Sequence, residues 1–252
     1  MSIKTIVIFK ESINLFTDKI KIILLFSSFA SFISNVFQYL LNPIKNLSGN
    51  EQFLSFPKNE TLILTWMNIL SQEEKSIIIK IILSSIISSM IGKIFLFSFI
   101  LTYLREIYLE DRYSFFKTVY YSLKITPDMS ILVLLCYLVS YFGFLFFFFP
   151  GVILLIGFSF SPIILVIQNK ILPIKSMKKS LNISFKYWKK ILLIFMILSV
   201  FQILIIFLIN SFNVYLNYLY NNTIKIVSNV FNSFVLIYLF RLYILIQKMI
   251  KH

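Results

Sequence analysis

The sequence predicts an all-α, polytopic transmembrane helical bundle with six spans. Three observations carry this. Hydrophobic residues make up 59% of the chain and charged residues 13%, where a soluble domain carries about a quarter charged. Mean hydropathy is +0.88, so a soluble fold would expose more apolar surface than water tolerates. Several uninterrupted apolar stretches approach the ~20 residues that cross a bilayer core.

The spans fall at 22–41, 81–104, 131–149, 152–169, 191–209 and 226–247 of a single integral membrane domain, 1–252. The first is expected to stay as an anchor, because no small-x-small cleavage pattern follows it. Only Pro150-Gly151 interrupts the run from Ile131 to Gln168. That run is too long for one span, and Pro-Gly is a turn signal, so a tight helical hairpin is expected. A buried, broken re-entrant pair is the alternative. Pro162 follows Ser161 in the fourth span and predicts a kink, with Ser161 re-satisfying the freed backbone. Ala30 is the sole alanine and glycines number 5, so serine must supply the small residues of helix contacts. Phe, Ile, Lys and Asn are the residues that A- and T-rich codons favour, and the shortage of Ala and Gly is read as that bias.

Orientation follows from Lys and Arg. Eighteen lie in the N-terminal segment, the 105–130 and 170–190 loops and the C-terminal end, against four (Lys45, Lys58, Lys75, Lys225) on the opposite side. This predicts an inner-membrane protein with both ends in the cytoplasm. The same distribution argues against nucleic acid as the partner of the +14 net charge. The outer loop spans 42–79. Ser71-Gln72-Glu73-Glu74 reads as a capping box that opens a helix over about 72–104.

The 170–190 segment holds seven lysines and no acid. Ile174, Met177, Leu181, Phe185 and Trp188 recur at helical spacing, which predicts a basic amphipathic helix on the anionic lipids of the inner leaflet. Ser12-Ile13-Asn14-Leu15, Ser122-Leu123-Lys124-Ile125 and Ser180-Leu181-Asn182-Ile183 precede the odd-numbered spans. They suggest three units of interfacial helix plus hairpin, over 3–20, 113–126 and 172–189; chance similarity competes with that reading.

Four residues are candidates for a polar path or lipid contact. Lys93 lies inside the second span, where an ionisable group is a functional hypothesis. Snorkelling to water competes with that role. Asn229 and Asn232, with Ser228 and Ser233, make a polar patch on the sixth helix, read as interhelical glue or as the far wall of a path from Lys93. Arg241, between Tyr238 and Tyr243, reads as an interfacial anchor or a lipid-headgroup contact. Ser84, Ser88 and Gly92 form a small-xxx-small packing row.

Nucleotide-binding loops, nucleophile elbows and zinc-protease motifs do not occur. His252 is the only histidine and Cys136 the only cysteine, so no histidine metal cluster and no internal disulfide can form. No cofactor is expected, and no enzymatic activity.

Pro150-Gly151, Ser161-Pro162, the segment Ser176-Met177 through Trp188, the Ser71 capping box leading to Ile91-Gly92 and the ending VLIYLFRLYILI from Val235 to Ile246 resemble the YciC-type inner-membrane proteins of Gram-negative bacteria. The resemblance runs end to end and implies a multi-pass inner-membrane location with no assigned activity. Lys93 departs from the family pattern, where a neutral polar residue is usual. The expected function is a non-enzymatic envelope protein that organises lipid or partner proteins. The alternative is a small transporter or channel with a polar path between the second and sixth spans.

Overall fold

The computed structural model describes residues 5–41, 71–110, 114–168, 171–211 and 217–251. Most of the outer loop, with Lys45 and Lys58, lies outside the described residues, as do Lys4, Arg112, Lys170 and His252. The described residues are helical, with no strand: α1 Thr5–Asp18, α2 Ile20–Leu41, α3 Gln72–Glu110, α4 Phe115–Phe146, α5 Phe148–Gly157, α6 Ser161–Ile167, α7 Pro173–Ser211 and α8 Asn217–Lys251. Six stretches are long and apolar enough to cross a membrane, and each expected span overlaps one.

The chain divides into two compact units, Phe32–Gly92 and the remainder. In the smaller unit the capping box forms as the sequence predicts. The Ser71 N–H donates to Glu74 Oε2 at 2.7 Å, and the Glu74 N–H donates to Ser71 Oγ at 3.3 Å. Two donors at the start of α3 are thereby satisfied. Ser84 and Ser88 of the packing row are buried, and each hydroxyl donates to a carbonyl three residues back.

The larger unit holds the hydrophobic core. Its most buried spans are the last, with 61% of its apolar window inside the protein, and the fourth, with 56%. Around them the other helices present Phe and Leu outward, as a surface solvated by lipid requires. α1 lies along α8, where Phe9 and Phe16 meet Phe234 edge-on. α2 is joined to α8 by hydroxyls and an amide. Ser27 and Ser233 share a hydrogen bond at 3.2 Å, and Asn229 Nδ2 donates to Ser31 Oγ at 2.8 Å. Serine thus takes the place of the missing Gly and Ala in these contacts.

The hairpin between the third and fourth spans turns earlier than expected. Phe147 alone is extended, at φ −161° and ψ 157°, and Pro150 sits inside the first turn of α5. There its missing N–H costs nothing, because no carbonyl of that helix precedes it. What makes the turn tight is glycine. A Cβ on Gly151 would fall 2.4 Å from the Phe144 ring, and one on Gly143 would fall 3.1 Å from the Gly151 backbone.

The three segments of the internal repeat are helical where described. Only α1 is separate, because the other two run on into their spans. α4 passes through Pro127 without ending, and α7 continues past a single non-helical residue, Tyr187 at φ −120° and ψ 20°. Near Pro127 the Thr126 hydroxyl donates to the Ser122 carbonyl at 2.7 Å.

Gly151→Leu tests the hairpin. Overpacking of this kind costs about 1–3 kcal/mol, so the detergent-solubilised protein should melt several degrees lower. Melting at the wild-type temperature would mean that α4 and α5 do not cross at these glycines.

Candidate functional site

The fourth span is broken, and the break organises the site. α5 ends at Gly157, α6 begins at Ser161, and Pro162 stands in the first turn of α6. The expected kink at Pro162 is therefore an interruption just before it, over residues 158–160. Ser161 does not repair it: its buried hydroxyl finds no hydrogen-bond partner. The repair comes from α7. Ser180 Oγ donates to the Gly157 carbonyl at 2.6 Å and accepts from the Phe160 N–H at 3.2 Å. One hydroxyl thus satisfies an acceptor and a donor that hydrocarbon would leave bare. Ser184 adds a contact to Ser159 at 3.4 Å.

Ser176, Ser180 and Ser184 are all fully buried at four-residue spacing. The lysine-rich segment therefore docks through a serine stripe. Of its predicted apolar face, only Met177 is buried, while Ile174, Phe185 and Trp188 are exposed. The stripe was visible as an i, i+4 pattern, but seven lysines and a more obvious apolar pattern masked it.

The four candidates separate. Lys93 Nζ donates to Tyr137 Oη of α4 at 3.0 Å and lies 5.7 Å from that ring's centre. Its partner is the third span, where the sequence pointed to the sixth helix or to water. Asn229 donates to Ser31 of α2, a hydrogen bond between the sixth and first spans. Asn232 lines a cavity of about 240 Å³ beside the break, together with Tyr137, Ser140, Phe158, Pro162 and Leu198. Tyr137 and Asn232 line this largely apolar space, and Lys93 does not.

Arg241 belongs to a different place. It lines a pocket of about 440 Å³ with Glu11 and Asp18 of α1, Lys19 just after α1, Tyr108 of α3 and Lys248 of α8. Its Nε is buried and has no hydrogen-bond partner. The flanking tyrosines are not the surface belt expected of an anchor. Tyr238 and Tyr243 are fully buried, and the Tyr243 hydroxyl accepts from Gln168 and Gln247. Gln168 in turn accepts from Lys179 at 2.7 Å. Beside this end of the bundle, Glu106 of α3 is buried and accepts from the Thr118 hydroxyl, while its Oε1 has no partner. Sequence reading passed over Glu106 because it stands just beyond the apolar run. It passed over Glu11 and Asp18 because they stand more than two hundred residues from Arg241 in the chain. No cluster of three potential metal ligands occurs among the described residues.

A family model described as an uncharacterised protein family, UPF0259, matches residues 1–245. The chain belongs to this family. A UPF0259 membrane protein of Wigglesworthia glossinidia brevipalpis is 30% identical over 170 residues, 64% of this chain and 63% of that one. Those of Photorhabdus laumondii and Yersinia pestis are 25% and 28% identical, with 64% of each chain covered. The matches span a little under two thirds of these relatives' length. No solved structure matches. Membership bears out the resemblance in the sequence, and the relatives are named as membrane proteins, in keeping with six apolar helices.

Lys93→Met tests the placement of the ammonium. It keeps the bulk and removes a charge that a single phenol oxygen holds. The expected change is within about 0.5 kcal/mol, with normal expression and full complementation of a deletion strain. Loss of complementation at normal expression would restore Lys93 as part of a path.

Proposed function

We propose that this is a non-enzymatic protein of the bacterial inner membrane that holds an anionic phospholipid headgroup at its cytoplasmic side, with both termini in the cytoplasm. The observation that carries the reading is the Arg241 pocket. Arg241, Lys19 and Lys248 face Glu11 and Asp18 there. Three cations against two carboxylates leave one net positive charge, the complement of one phosphodiester. A buried guanidinium N–H with no partner is a donor awaiting an acceptor. The adjoining faces are apolar helices that lipid tails can cover.

Topology supports the placement. The eighteen-to-four distribution of Lys and Arg favours the cytoplasmic side for this end of the bundle. On α7, Ile174, Phe185 and Trp188 are exposed among lysines, an arrangement suited to an anionic leaflet. The transport reading would need Lys93 to share a wet route with Asn229 or Asn232. Asn229 is committed to Ser31 and Lys93 to Tyr137, so packing accounts for both.

Native mass spectrometry of the gently extracted protein tests the proposal. The wild type should retain one anionic phospholipid, chemically unchanged. Arg241→Met should retain about tenfold less, as loss of a charge-assisted hydrogen bond implies. Equal retention by the variant, or retention of zwitterionic lipid alone, would overturn it. Reporters fused after His252 and within 170–190 should read as cytoplasmic, and an external C-terminus would contradict the orientation.

A further inference from the structure

The cavity beside the broken span is distinct from the charged pocket and unused by the reading above. It is walled by Phe97, Phe158, Phe195, Leu198 and Leu236, and no charged side chain lines it. Of the polar side chains in that wall, Tyr137 and Ser159 are already bonded to Lys93 and Ser184, and Cys136 is a weak donor, which leaves Ser140 and Asn232. Ser140 is 3% exposed, and its hydroxyl has no partner. Asn232 comes from the opposite side, on α8. A serine in a helix ordinarily returns its hydroxyl to the carbonyl four residues back, as Ser122 and Ser233 do here. Ser140 does not. An unpartnered hydroxyl at the edge of an apolar space is costly unless something fills that space.

At about 240 Å³, the cavity exceeds the ~150 Å³ that suffices for an apolar site to take up benzene. A charged headgroup is excluded, because nothing in the wall would offset its desolvation. A bare hydrocarbon would leave Ser140 unpaired.

We infer that this cavity binds an uncharged, hydrocarbon-rich molecule through a carbonyl oxygen, which accepts from the Ser140 hydroxyl and the Asn232 carboxamide. A lipid-soluble quinone and a diacylglycerol both carry that chemistry. The broken span makes room for it: Phe158, Ser159 and Pro162 all line the cavity at the interruption. A continuous helix would direct its side chains there with no such gap.

Photolabelling tests the site in the full-length protein in nanodiscs, with an azido-substituted decyl quinone as probe. Label should map to the cavity wall: 132–140, 155–162, 195–198, 232–239 and Phe97. Competition by unlabelled decyl quinone alone assigns the quinone, and competition by dioctanoylglycerol assigns the glyceride. Competition by either supports the shared chemistry. Ser140→Ala should weaken the probe about fivefold, as one lost hydrogen bond implies, with an unchanged melting temperature. Leu198→Trp should abolish labelling by filling the space. Decane competing as well as the carbonyl compounds would overturn the inference. So would label outside those segments, or an unaffected Ser140→Ala.

Discussion

Everything in the larger unit depends on how a broken helix keeps its backbone paired inside hydrocarbon. Gly157 and Phe160 lose the regular ladder where α5 gives way to α6. Water cannot reach these groups as it reaches a loop, and each unpaired group would cost several kcal/mol. Ser180 supplies both partners from one hydroxyl. That bond fixes α7 against the fourth span, and Gly157 lets it come close: a Cβ there would meet Leu181 at 2.5 Å. The lysine-rich segment is thus tied to the core by serine, and Lys179 adds a bond to Gln168 beside it.

The same economy runs through the rest of the fold. Hydrophobic attraction does little between helices in lipid, so packing and hydrogen bonds must join them. With almost no Ala and few Gly, this chain uses Ser27, Ser31 and Ser233 with Asn229 between the first and last spans. Polar groups beyond this glue are what remain for function. Arg105, Glu106, Ser140 and Arg241 are among those that leave a buried atom unpaired, and three of them line pockets. Lys93, the most conspicuous residue in the sequence, is answered by Tyr137 and leaves no such deficit.

How much was legible follows from which signals are local. The count of spans and the capping box at Ser71 rest on composition and on spacing within one turn, and the structure returns them. Prolines misled by a few residues. Pro150, Pro162 and Pro173 all stand in the first turn of a helix. Proline is best tolerated there, so it marks a start more reliably than a turn or kink. The glycine crossing of Gly143 on Gly151 and the Ser180 bridge join groups from different spans, and no single-chain periodicity reports such a meeting. The Arg241 pocket was half visible. Its cation could be named from the last span, but Glu11 and Asp18 arrive only through the packing of α1 on α8.

Hydrogen exchange on Ser180→Ala, in nanodiscs, tests the central claim most directly. Removing the hydroxyl strips the Phe160 N–H and the Gly157 carbonyl of their partners together, at about 1–3 kcal/mol for each group left bare. The account predicts faster exchange at the amides of 158–164, a lower melting temperature, and restoration of both by Ser180→Thr if its hydroxyl reaches the same pair. Unchanged exchange across the fourth span in the alanine variant would contradict it.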